Sequence, residues 1–114
     1  AEALNARHLP GIRFYPTTFT PSSSKYAGEA CNGVFMVITD RTALQPVRMS
    51  LAVVAALTRL HGERYQLETT ARLFGSRESL ARVSTGEDPT IVASSWGTDE
   101  ARWRQTRAKY LLYR

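Results

Sequence analysis

The sequence predicts an α+β domain: a small sheet of two or three strands packed against a central buried helix and several shorter helices. Three observations carry that reading. Ile12 to Thr20 and Gly33 to Thr39 are short runs rich in aromatic and β-branched residues, as strands are. Pro46 to His61 repeats apolar residues at helical spacing. Beyond it, Gly, Pro, Ser and Asp recur where short helices start and stop.

Leu9-Pro10-Gly11 reads as a turn, and residues 1–10 as a linker or joining segment. Pro16 interrupts the first apolar run, which predicts an edge strand or two short pieces. The polar stretch from Pro21 to Glu29 is a loop. Val34-Phe35-Met36-Val37-Ile38 is nearly continuous and apolar, which predicts a central strand buried on both faces. Pro46 suits the first turn of a helix, and Gly62 suits its left-handed end. Val47, Leu51, Val54 and Thr58 form one stripe; Met49, Val53, Leu57 and Leu60 form a second, so this is the core helix. Arg64 to Glu68 is read as a short third strand. Short helices follow over Thr70–Phe74, Arg77–Val83 (capped by Ser76), Pro89 to Trp96 (capped by Asp88) and from Thr98 onward. Trp96, Trp103 and Tyr110 stand seven apart and share a face if Gly97 does not break the helix.

The 114 residues fit a single domain, 1–114, with one modest core. No apolar run approaches the roughly 20 residues that span a bilayer. The chain opens Ala1-Glu2-Ala3 without Met or a leader pattern, which predicts a cut from a longer polypeptide or a removed leader. Lys and Arg total 15 against 10 acids, a formal +5, and all but Lys25 and Lys109 are arginine. That field favours an anionic partner: nucleic acid, anionic lipid or a carboxylate-bearing polymer.

Catalytic chemistry finds little purchase. His8 and His61 are far apart and Cys31 is the sole cysteine, so metal-ligand spacing is missing and neither a metal nor a cofactor is expected. No Gly-x-Ser-x-Gly elbow frames a serine, and no glycine-rich loop is present to cradle phosphate. Glycoside hydrolysis uses two carboxyls, and Glu29 has no evident second. No catalytic residue is assigned. The segment from Phe19 to Gly33 stands out instead, gathering hydroxyls, Lys25, Tyr26, Glu29 and Asn32 between two apolar runs. Loops held on a rigid scaffold carry binding groups; the competing reading is a solvated turn whose Ser and Asn satisfy its own backbone.

Read in order, Phe19-Thr20-Pro21, then Ser24-Lys25-Tyr26-x-Gly28-Glu29-x-Cys31-x-Gly33-Val34, then Thr39-Asp40-Arg41 form a specific ordered set. Leu9-Pro10-Gly11-Ile12-Arg13-Phe14, Pro46-Val47-Arg48 and Tyr110-Leu111-Leu112-Tyr113 extend it. The string resembles the C-terminal part of the NamZ-type exo-β-N-acetylmuramidases over nearly the whole chain, with Arg64 to Arg82 shorter than is usual there. The resemblance implies an accessory domain of a bacterial peptidoglycan hydrolase. A separate N-terminal Rossmann-like domain would carry the catalytic acids, and together the two would remove N-acetylmuramic acid from the ends of peptidoglycan fragments. It implies a place in the cell envelope or outside the cell. On that footing Ser23, Ser24, Lys25, Tyr26 and Glu29, with Arg13 and Arg41, are the substrate-binding candidates. Lys25 supplies a mobile charge and either arginine a bidentate fork for the lactyl carboxylate.

The alternative is a free-standing basic module for RNA or another polyanion, drawn from the +5 charge and from Arg102, Arg104 and Arg107. Nucleic acid is not the expected partner, because no RNA-recognition or helix-turn-helix signature accompanies the charge.

Overall fold

The computed structural model describes residues 1–113 and shows the predicted α+β architecture: a two-stranded antiparallel sheet and a series of helices. The chain divides into two compact units, Ala1–Met49 and the residues from Ser50 onward, and the boundary falls within the longest helix.

The first unit holds helix α1 (Glu2–Asn5), strand β1 (Ile12–Phe19) and strand β2 (Cys31–Ile38). The strands form a hairpin in which Ile12 faces Ile38, Tyr15 faces Phe35 and Phe19 faces Cys31. Thr39 N–H donates to the Gly11 carbonyl at 2.9 Å. Antiparallel pairs alternate between bonded and non-bonded, so Arg13, Tyr15, Thr17 and Phe19 turn their main-chain groups toward β2. Ile12, Phe14, Pro16 and Thr18 turn theirs outward. Pro16 therefore sits where no N–H is needed, and β1 continues through it as one edge strand.

Gly11 makes the turn before β1. Its φ is +72°, and a Cβ there would run into the Asp40 carbonyl oxygen and the Leu44 backbone nitrogen. Asp40 closes the same corner: its carboxylate accepts from Thr42 N–H (2.8 Å), Thr42 Oγ1 (2.7 Å) and Ala43 N–H (3.2 Å). These bonds hold its pKa below the usual carboxylate value, the Thr42 hydroxyl most of all.

β2 corrects one expectation. It is no central strand buried on both faces, because the sheet has two strands and no third strand pairs with its other edge among the described residues. Val34, Phe35, Met36 and Ile38 are all exposed. Apolar content marks a strand that can be covered; it does not supply the cover.

The second unit is built on α2 (Pro46–His61), with Leu51, Ala52, Val54 and Ala56 buried. Gly62, at φ +54°, follows its end. The expected third strand over Arg64 to Glu68 is absent: a 3-10 turn occupies Gly62–Arg64 and α3 runs Leu67–Phe74. Leu67, Ala71 and Phe74 recur at helical spacing and all meet the core, so the period of 3.6 outweighs the one extended residue, Tyr65. Helices α4 (Arg77–Ser84), α5 (Pro89–Ser94) and α6 (Gly97–Ala108) follow. Ser76 Oγ accepts from Ser79 N–H and Asp88 accepts from Thr90 N–H, each capping a helix start as read from sequence. Leu51, Val54, Leu80, Val83 and Val92 form the core, where each fully buried aliphatic side chain contributes about 1.5–3 kcal/mol.

The three heptad-spaced aromatics part company. Trp96 lies between α5 and α6, 6.5 Å from the Phe74 ring, and donates from Nε1 to buried Ser79 Oγ at 3.1 Å. Trp103 and Tyr110 are exposed. Gly97 opens a new helix, so the shared face does not extend across it.

Candidate functional site

The loop of residues 20–30 joins the two strands and is folded on itself. Gly28 N–H reaches back to the Pro21 carbonyl at 2.9 Å, Ala27 N–H to Ser24 O at 3.2 Å and Glu29 N–H to Tyr26 O at 3.1 Å. Ser24 and Gly28 both adopt positive φ, +76° and +81°. For Gly28 that costs nothing; for Ser24 it is a strained conformation that the loop's own bonds maintain. The two reversals leave Lys25 and Tyr26 at the turn between them.

Ser23, Ser24, Lys25, Tyr26 and Glu29 are all exposed. The Lys25 ammonium lies 5.5 Å from the centroid of the Tyr26 ring, within cation–π range. That contact holds a flexible lysine near an aromatic plate, and half of Tyr26 stays open to solvent. Among the described residues no ion pair joins Glu29 to Lys25 or Arg13. At the base of the loop the Phe19 ring lies over Gly33, where a Cβ would press into the ring at 2.7 Å.

Arg13 and Arg41 stand elsewhere. Arg13 pairs with Val37 at the opposite end of the hairpin, and Arg41 follows the end of β2. Six residues of strand separate Arg13 from Phe19, about 20 Å at the usual rise. The structure thus brings together Ser23, Ser24, Lys25, Tyr26 and Glu29 and leaves the two arginines out of that group.

One feature of this unit escaped the sequence reading. The register puts Tyr15, Phe19 and Phe35 on one face of the hairpin, all exposed. Alternation along β1 signals it, but the pairing with β2 cannot be counted across a loop of this length.

On α6, Arg102 reaches Asp99 (3.5 Å) and Arg104 reaches Glu100 (3.8 Å), so acids accompany its arginines. Among the described residues no group of three His, Cys, Asp or Glu could hold a metal ion. No described helix is long and apolar enough to cross a membrane.

Fold and site together define a small α+β domain that presents a preorganised polar hairpin loop. Residues 1–113 match the C-terminal region of the exo-β-N-acetylmuramidase NamZ, and the chain belongs to that family. It is 31% identical over 115 aligned residues to the peptidoglycan β-N-acetylmuramidase NamZ of Bacillus subtilis strain 168, covering 98% of this chain and 28% of that protein. It also resembles, with a TM-score of 0.78 and 27% identity, the crystal structure of a DUF1343 family protein from Bacteroides fragilis. That match covers 100% of this chain and 33% of the other. The chain therefore spans about a third or less of the relatives it matches.

Proposed function

We propose that this chain is the accessory domain of a peptidoglycan exo-β-N-acetylmuramidase, and that the loop of residues 20–30 forms one wall of a muramic-acid-binding cleft. The opposite wall belongs to a separate Rossmann-like catalytic domain. The family membership supports the first statement. The observation that carries the second is the exposed Lys25 ammonium held over the Tyr26 ring on a self-bonded loop.

The chemistry follows from the groups present. Muramic acid carries a lactyl carboxylate, and a charge-assisted bond from Lys25 contributes about 1.5–3 kcal/mol where water is excluded by an opposing wall. The free face of Tyr26 stacks on a sugar ring. Ser23, Ser24 and Glu29 take hydroxyls or the acetamido group. Arg13, about 20 Å along β1 from the base of the loop, and Arg41, past the far end of β2, serve a more distant anionic part of a polymeric substrate. The protons of glycoside cleavage are moved by carboxyls of the catalytic domain. Such a protein works at the bacterial cell envelope or outside the cell.

The isotope-labelled chain, titrated with N-acetylmuramic acid with the catalytic domain present, tests the reading. Amide shifts centred on Ser24 to Gly28, larger than those from N-acetylglucosamine, which lacks the lactyl carboxylate, are expected. Equal responses to both sugars, or shifts confined to α6, would refute it.

A further inference from the structure

We propose that two copies of this chain pair through the open edge of β2, extending the hairpin into a continuous four-stranded antiparallel sheet with its two-fold axis at Phe35. The proposal stands apart from the sugar-binding reading.

The two edges of the hairpin differ in kind. The outer edge of β1 is closed. Asn5 engages both outward main-chain groups of Phe14, accepting from its N–H at 3.0 Å and donating to its carbonyl at 2.7 Å. Pro16 has no N–H to offer, and Arg13 Nη1 donates to the Ile12 carbonyl at 3.0 Å. β2 has none of these devices. Its residues Asn32, Val34, Met36 and Ile38 pair with the outward-facing residues of β1, so their own N–H and C=O groups point away from the hairpin. No other strand lies there among the described residues. β2 carries no charge and no proline, the features by which natural edge strands resist pairing. Val34, Met36 and Ile38 on one face and Phe35 (61% exposed) on the other remain uncovered.

A strand that fits this edge must be extended, uncharged and of matching hydrogen-bond parity. β2 itself meets all three conditions. Antiparallel pairing about Phe35 sets Val34 against Met36 of the second copy and Asn32 against Ile38 of the second copy. That axis matches all four outward residues with one another. Phe35 then falls at a non-bonded position, where the two Cα atoms approach to about 4.5 Å. Tyr15, opposite Phe35 within each hairpin, continues the aromatic row. Because β2 is neutral, pairing opposes no like charges, despite the chain's net +5. One strand pair is small beside a standard interface of about 1,200–2,000 Å², so the dimer is weak.

Sedimentation equilibrium on the full chain, from micromolar to millimolar concentration, reads the association. The expected result is a monomer–dimer equilibrium. Amide exchange at Asn32, Val34, Met36 and Ile38 should slow as concentration rises, while that of Tyr15 and Val37, already bonded within the hairpin, should not. Phe35→Lys places two ammonium groups face to face and should weaken association by roughly tenfold or more. The exchange pattern of the unaltered chain stands as evidence even if that variant fails to fold. A monomer at every concentration, or four amides indifferent to concentration, overturns the proposal and leaves the edge to a strand from elsewhere in a longer polypeptide. A dimer unaffected by Phe35→Lys in a folded variant overturns it as well.

Discussion

Asn5 substitutes for a neighbouring strand at Phe14: its amide both donates to and accepts from the main chain of a residue that is only 2% exposed. Asn5→Ala leaves a buried N–H and a buried C=O without partners, at about 1–3 kcal/mol for each. Chemical denaturation should show the two losses together. Asn5→Asp, which keeps the acceptor and drops the donor, should fall between the two.

Gly11 and Gly28 both have positive φ, yet they predict different costs. A Cβ at Gly11 meets the backbone of Asp40 and Leu44, whereas one at Gly28 meets nothing. Gly28→Ala should cost about 1 kcal/mol from backbone strain. Gly11→Ala should cost clearly more, and the ordering of thermal midpoints checks this.

Trp96 and Trp103 are a further matched pair. Trp96→Phe keeps much of the packing on Phe74 but removes one of two hydrogen bonds that the buried Ser79 hydroxyl accepts, leaving the one from Ser76 Oγ (3.0 Å), a loss of about 0.5–1.5 kcal/mol. Trp103→Ala, on an exposed face of α6, should change stability by less than about 0.5 kcal/mol.

Glu87 accepts from Arg82 Nε (2.8 Å) and Nη2 (2.5 Å), and that hydrogen bonding lowers its pKa from the ordinary 4.5. A depressed carboxylate contributes stability that is full above its unfolded pKa and is lost as pH falls through its folded pKa. Asp40, lowered from 3.8 by Thr42, acts in the same direction. Stability should therefore decline below about pH 4.5. Glu87→Gln should flatten the upper part of that decline, leaving the Asp40 contribution in place, as acid titration of unfolding midpoints will show.

How much of this was legible in the sequence depends on the range of the cause. Ser76, Asp88-Pro89 and Gly75 mark helix ends through contacts a few residues away, and each stands where the sequence put it. The loop was legible for the same reason, as a polar interval between two strands. Residues 64–68 misled because Tyr65 is extended while Leu67 already belongs to the stripe completed by Ala71 and Phe74. Val34 to Ile38 misled more deeply: apolar character on both faces describes what a strand can tolerate, and its neighbours are set by the rest of the fold. The distance of Arg13 and Arg41 from Lys25 follows from strand register, which no local pattern encodes.

The loop's role is tested most directly by the affinity of Lys25→Ala for muramic-acid-terminated peptidoglycan fragments, measured calorimetrically with the catalytic domain present and with Lys109→Ala as the charge-matched control. The account predicts a roughly ten- to hundredfold loss for Lys25→Ala and none for Lys109→Ala. Equal affinity of Lys25→Ala and the unaltered protein would contradict it.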